Sequence, residues 1–125
     1  MKDLIMIVDD DATNIKLAGM TLSKAGYPAA GVKSGRALID YVKKKGQPGL
    51  VLLDILMPEM DGFETYEALR ALEKELSLSP VPVLFASAEE TPEIAKRCTD
   101  LGASGFVKKP YTPDALIQAV GTTLA

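Results

Sequence analysis

Three carboxylates stand where apolar runs of this chain end, and their types and spacing suit one chemistry. Asp9 and Asp10 close the run Leu4-Ile5-Met6-Ile7-Val8, and Asp54 closes Leu50-Val51-Leu52-Leu53. Such runs read as short buried strands, so each acid sits where a strand leaves the core. If the two strands are neighbours in a parallel sheet, the acids meet beyond the strand carboxyl ends, where such sheets bind ligands. Crowded acids repel one another and raise their own pKa values. A hard divalent cation relieves that repulsion, and Mg²⁺ favours a few carboxylates with waters and phosphate oxygens. The cluster is therefore placed to hold one Mg²⁺ and to take up one phosphoryl group.

Two more groups follow apolar runs. Ser87 offers a hydroxyl after Val81 to Ala86, and Lys109 offers a cation after residues 104–108. Each has an ordinary alternative: Ser87 as a helix or turn cap, Lys109 as a surface lysine. Pro110 biases Lys109 to an extended backbone, and a cis bond at Pro110 would aim the side chain inward. Asp11 precedes a helical stretch and reads as its cap.

The elements that must position these residues alternate along the chain. Strands are expected over 4–9, 28–32, 50–54, 81–86 and 104–108. The second is weak, because Pro28-Ala29-Ala30-Gly31 is poor β sequence. Helices are expected over 13–25, between Ser34 and Gly46, over about 63–76, over 92–101, and from Pro113 onward. The first has a thin apolar face of Ile15, Ala18, Leu22 and Ala25 and stops at Gly26. Ser34, Thr91 and Thr112 are the expected caps, and Lys43-Lys44-Lys45 suit the last turn of the second helix. Five strand–helix units argue for an α/β fold, a doubly wound (βα)5 parallel sheet with helices on both faces. In the flavodoxin-like order 2-1-3-4-5 the first and third strands are neighbours, which is the adjacency the acids require.

Composition narrows the functions further. A chain of 125 residues is expected to be one domain, 1–125, burying roughly two-thirds of its unfolded surface. A net charge of -3 carries no basic footprint for nucleic acid and no polybasic signal for a membrane. The chain has no histidine, which excludes Ser-His triads and His-ligated zinc. Its single cysteine, Cys98, cannot form an internal disulfide and reads as a small core residue. No apolar run is long enough to span a bilayer and no secretory signal is visible, so a cytoplasmic location is expected.

The Val8-Asp9-Asp10 pair, the block Leu53-Asp54-Ile55-Leu56-Met57-Pro58-Glu59-Met60-Asp61-Gly62, Ser87-Ala88, and Gly102 to Pro110 together resemble a response-regulator receiver domain of two-component signalling. The resemblance runs through nearly the whole chain, and the D-x-x-M-P-x-M-D-G block is highly specific. It implies Asp54 as phosphoacceptor. It implies Mg²⁺ held by Asp10, Asp54 and the backbone carbonyl of Leu56, with Asp9 acting through a metal-bound water. Ser87 and the backbone N–H of Ala88 would bind phosphoryl oxygens, Lys109 would neutralise one, and Phe106 would stand at the switch position, often a tyrosine. Phe106 lacks a hydroxyl, and its alternative is plain core packing.

The resemblance also implies partners: a histidine kinase or phosphotransfer protein upstream, and a protein target or output domain downstream. No output domain is encoded in these residues, and the expected role is a signalling phosphoacceptor rather than an enzyme. Residues 115–125 carry no charged side chain, which points to a partner or a second copy on the face of helix four, strand five and helix five, the alternative being a short small-residue helix. Three rival readings share the architecture. Asp9-Asp10-Asp11-Ala12-Thr13 fits the D-x-D-x-T motif of haloacid-dehalogenase-type phosphatases, with Asp9 as nucleophile. A flavodoxin-type FMN binder would need a phosphate-cradling loop where the acids stand. A receiver-fold binding module would work without phosphorylation.

Overall fold

The computed structural model describes residues 3–124. Strands and helices alternate as β1 (Ile5–Val8), α1 (Ala12–Lys24), β2 (Ala29–Val32), α2 (Gly35–Lys45), β3 (Leu50–Asp54), α3 (Gly62–Glu75), β4 (Val83–Ser87), α4 (Pro92–Asp100), β5 (Gly105–Lys108) and α5 (Pro113–Leu124). The strands form one parallel sheet in the order β2-β1-β3-β4-β5. This is the expected (βα)5 fold.

Strand alternation divides the core into two layers. Met6, Val8, Val51, Leu53, Val83 and Phe85 face α2, α3 and α4. Ile5, Ile7, Leu50, Leu52, Leu84, Ala86 and Val107 face α1 and α5. The three central strands are thus apolar on both faces, the pattern a covered parallel sheet demands.

Register sets the site. Val8 pairs with Leu53, so Asp9 and Asp54 are the next residues at the ends of adjacent strands. Asp54 in turn pairs with Ala86, and Ser87 with Lys108. Each helix starts on a cap that keeps the strand–helix loops short. Asp11 accepts from the Thr13 N–H, Ser34 from Ala37, Thr91 from Ile94 and Thr112 from Ala115. Asp61 and Glu64 form a reciprocal capping box at the start of α3.

Most element ends lie one residue from the sequence expectation, and two of the differences have a clear physical reason. The fourth strand runs over 83–87 rather than 81–86. Pro82 has no N–H to give a ladder, and the Val81 N–H is taken by the Glu73 carboxylate. Ala25 lies beyond α1 as its C-cap and is exposed, so Ala18 and Leu22 are the residues that α1 buries.

Candidate functional site

The acids converge as their strand ends require. Asp9 and Asp54 are buried and Asp10 is exposed, and one oxygen from each lies within 4.8 Å of the others. Asp9 is oriented from its own loop, accepting the Asp11 N–H at 2.9 Å. Lys109 enters from β5. Its ammonium donates to Asp9 Oδ2 at 2.6 Å and stands 3.4 Å from Asp54 Oδ2. The Lys109–Pro110 peptide is cis, and the Lys109 N–H donates to the Ser87 carbonyl at 2.9 Å. That bond ties the ends of β4 and β5 together at the lip of the site.

Burial pushes the Asp54 carboxyl above the ordinary aspartate value of 3.8; Lys109 opposes this, and the charges of Asp9 and Asp10 reinforce it. Burial alone would lower the Lys109 ammonium, but its hydrogen bond to Asp9 and the charges of Asp54 and Asp9 hold it above the usual lysine value. Both shifts describe a negatively charged pocket that one ammonium does not neutralise. The donors are all carboxylate oxygens, which fits a hard divalent cation and not a soft one.

The loop after Asp54 is shaped by two close contacts. The Gly62 N–H donates to the Ile55 carbonyl at 2.8 Å. A Cβ on Gly62 would fall 2.5 Å from the Asp54 carbonyl oxygen and 2.7 Å from Ile55 Cα, so only glycine lets α3 begin this close to the Asp54 backbone. Leu56 projects into solvent beside the site at 53% exposure.

The remaining expected residues surround this centre. Ser87 is fully buried at the end of β4, and its Oγ accepts the Glu89 N–H at 3.1 Å. Ala88 follows it and is exposed at the rim. Phe106 is half-buried, packs against the α2–α4 side of the core and lines cavities on both sides of β5. Asp11 is exposed and caps α1, which removes it from the acid cluster and takes away the second acid of a D-x-D-x-T motif.

Two features were not anticipated. Tyr111 packs against the α1–α5 side of the core close to the acids, and burial pushes its hydroxyl above the usual tyrosine value. It shares with Leu17, Asn14, Lys109 and Pro110 a groove of ≈ 490 Å³ beside the acid cluster. The exposed Leu17 on an amphipathic α1 was the available signal for it.

The sequence model of the response regulator receiver domain family matches residues 5–121. The chain belongs to that family, a family of signalling domains in two-component systems. It is 32% identical over 133 residues to probable histidine kinase 4 of Oryza sativa subsp. japonica, covering 93% of this chain and 13% of the kinase. It is 36% identical over 109 residues to the protein-glutamate methylesterase/protein-glutamine glutaminase of Treponema pallidum (strain Nichols), covering 86% of this chain and 26% of the enzyme. The chain thus spans a small part of these curated relatives. Among solved structures, the chemotaxis protein CheY4 of Vibrio cholerae superposes with a TM-score of 0.86 at 26% identity, covering 99% of this chain and 100% of that one. Among the described residues, no helix is long and apolar enough to cross a membrane.

Proposed function

We propose that Asp54 is the phosphoacceptor of this receiver domain and that a histidine kinase or a phosphotransfer protein is its donor. The observation that carries this is the meeting of Asp9, Asp10, Asp54 and the Lys109 ammonium at the carboxyl ends of three strands. In the reaction, an Asp54 oxygen bonds to phosphorus as the donor's P–N bond breaks, and the leaving imidazole keeps the electron pair and takes a proton. Positioning and charge stabilisation supply most of the catalysis in such transfers. Asp10, Asp54 and the Leu56 carbonyl would hold Mg²⁺, with Asp9 behind a bound water. When bound, the ion offsets the repulsion between the carboxylate and the incoming phosphoryl oxygens.

The other roles follow from position. Lys109, already within reach of Asp54, pairs with one phosphoryl oxygen. The Ser87 hydroxyl and the Ala88 N–H take the others. Phosphorylation replaces one carboxylate charge with a group of about −1.5 to −2 and adds acceptor oxygens, and Ser87 turning to one of them lets Phe106 repack inward. The domain assists its own modification and hydrolysis and turns over no external substrate. We place it in the cytoplasm as a receiver unit over 1–125 that signals to a protein target or an output domain, with self-association through α4, β5 and α5 as one route and no direct contact with nucleic acid or membrane.

Phosphotransfer from a panel of autophosphorylated histidine kinases tests this reading. At least one donor passes its phosphoryl group to wild type, and chelation of Mg²⁺ abolishes transfer. Labelling that survives chelation, or that Asp54→Asn accepts equally, overturns it.

A further inference from the structure

β2 forms one edge of the sheet and, among the described residues, pairs with β1 alone. The Ile5 N–H donates to the Pro28 carbonyl and the Asp9 N–H to the Val32 carbonyl, which fixes the alternation of this parallel ladder. Ala30 and Val32 therefore turn their backbone groups toward β1. Ala29 and Gly31 turn theirs to the open edge, where Gly31 is exposed. Two features flank that edge. On the α1 side runs a groove of ≈ 370 Å³ lined by Ile7, Ile15, Gly19, Met20 and Gly31, with the exposed Lys16 beside them. A Cβ on Gly31 would strike Ile15 Cγ2, so the strand leaves this groove free of side chains of its own. Met20 stands 49% exposed next to it. The second feature is charge. From Ala12 to Leu53 the chain has seven cations, all exposed, and one acid, Asp40, although its net charge is -3. Lys33 directly follows β2, and Arg36 stands in the first turn of α2.

We propose that the open edge of β2 docks an extended acidic peptide of a partner protein, which adds a strand beyond β2, sets apolar side chains into the α1 groove and pairs its acids with Lys16, Lys33 and Arg36. In such strand additions the main-chain bonds give affinity and the alternate side chains give specificity. The occupant follows from the edge and its charges. A row of unpaired backbone groups is a template for another extended backbone, which a nucleic acid does not offer. A second copy of β2 would bring the same cations to the interface, and like charges face to face disfavour that pairing. An acidic segment meets them with the opposite sign. The site uses none of the residues of the acid cluster, so it stands whether or not Asp54 accepts a phosphoryl group.

The test is amide hydrogen exchange of β2, resolved residue by residue by NMR, in the presence of an octapeptide of alternating valine and glutamate. Exchange at Ala29 and Gly31 is expected to slow about tenfold when about nine-tenths of the sites are filled, with β5 unchanged. An octapeptide of alternating valine and lysine is expected to leave both residues as they are. Lys33→Glu combined with Arg36→Glu changes two exposed side chains and is expected to weaken binding of the glutamate peptide about tenfold. Methylating every second amide nitrogen of that peptide is expected to abolish the effect when the methyl groups line its paired edge, and to spare it when they line the other. No slowing at Ala29 and Gly31 overturns the proposal. So does equal slowing by the lysine peptide or by an oligothymidylate, or equal binding of both methylated peptides. Slowing that rises with protein concentration alone also overturns it, because the edge then belongs to a second copy.

Discussion

The Lys109 ammonium lies 2.6 Å from Asp9 Oδ2, a contact between residues 100 positions apart in the chain. With Asp54 Oδ2 3.4 Å from the same nitrogen, one cation is shared by two of the three acids of the site. A divalent ion drawn to those acids must work against that ammonium. Lys109→Ala is therefore expected to bind Mg²⁺ about tenfold more tightly than wild type, while accepting phosphoryl groups more slowly. Titration calorimetry measures the first effect; weaker binding in the variant would mean that Lys109 organises the acids rather than competing for them.

Stability carries the cost of the cluster. The folded value of Asp54 lies above its unfolded value of 3.8. The folded chain holds that proton more firmly, so the stability it contributes is complete below 3.8 and is lost as pH rises through the folded value. A neutral isostere avoids this loss. In metal-free buffer Asp54→Asn is expected to melt at a higher temperature than wild type near neutral pH, the gap closing as pH falls. Mg²⁺ is expected to raise the wild-type midpoint more than that of the variant. Thermal melts across pH, with and without the ion, check both statements.

Gly62 has no slack. The Asp54 carbonyl oxygen and Ile55 Cα that a Cβ would strike are backbone atoms that cannot turn aside. Gly62→Ala is expected to lose about 2 kcal/mol by urea denaturation and to slow phosphorylation by displacing the Asp54 backbone. A variant of wild-type stability and rate would show that the loop relaxes freely.

At the opposite end of the sheet, Glu73 is buried with its side chain 3% exposed. Its carboxylate accepts from Arg70 at 2.7 Å, from the Val81 N–H at 2.8 Å and from the Gln47 amide at 2.7 Å. Glu73→Ala takes the acceptor from the buried Val81 N–H and one partner each from Arg70 and Gln47, which keep the Val81 and Ser79 carbonyls, and is expected to cost about 2 kcal/mol, read from equilibrium denaturation. Phosphorylation of the folded variant should proceed as in wild type, because the network is remote from the acids.

Those last two residues mark the limit of what the sequence made legible. Strand ends and acids were readable because a strand buried on both faces has to be a continuous apolar run, and a charge at its end stands out. The regular alternation of units gave the parallel sheet, the flavodoxin-like order that fits five such units gave the strand neighbours, and Lys-Pro at a strand end left the cis bond as one possibility, which the structure has. Gly62 was visible as the last residue of the D-x-x-M-P-x-M-D-G block, but the sequence does not say which backbone atoms approach it. Glu73 did leave a trace: it falls seven residues after Tyr66, on the same face as Leu69, and an acid in an apolar stripe asks for buried partners. Those partners, Gln47 and the Val81 N–H, come from other elements, and helical periodicity cannot name them. Strand four begins two residues later than expected for a related reason, because Glu73 claims the Val81 N–H and Pro82 has none to give.

The central claim is that Asp54 takes a phosphoryl group with the help of Mg²⁺. Incubation with acetyl phosphate and Mg²⁺, followed by intact-mass measurement, tests it most directly. The expected result is a gain of about 80 Da on wild type, absent from Asp54→Asn and absent when Mg²⁺ is chelated. No gain on wild type, or a gain that persists in Asp54→Asn, would contradict the account.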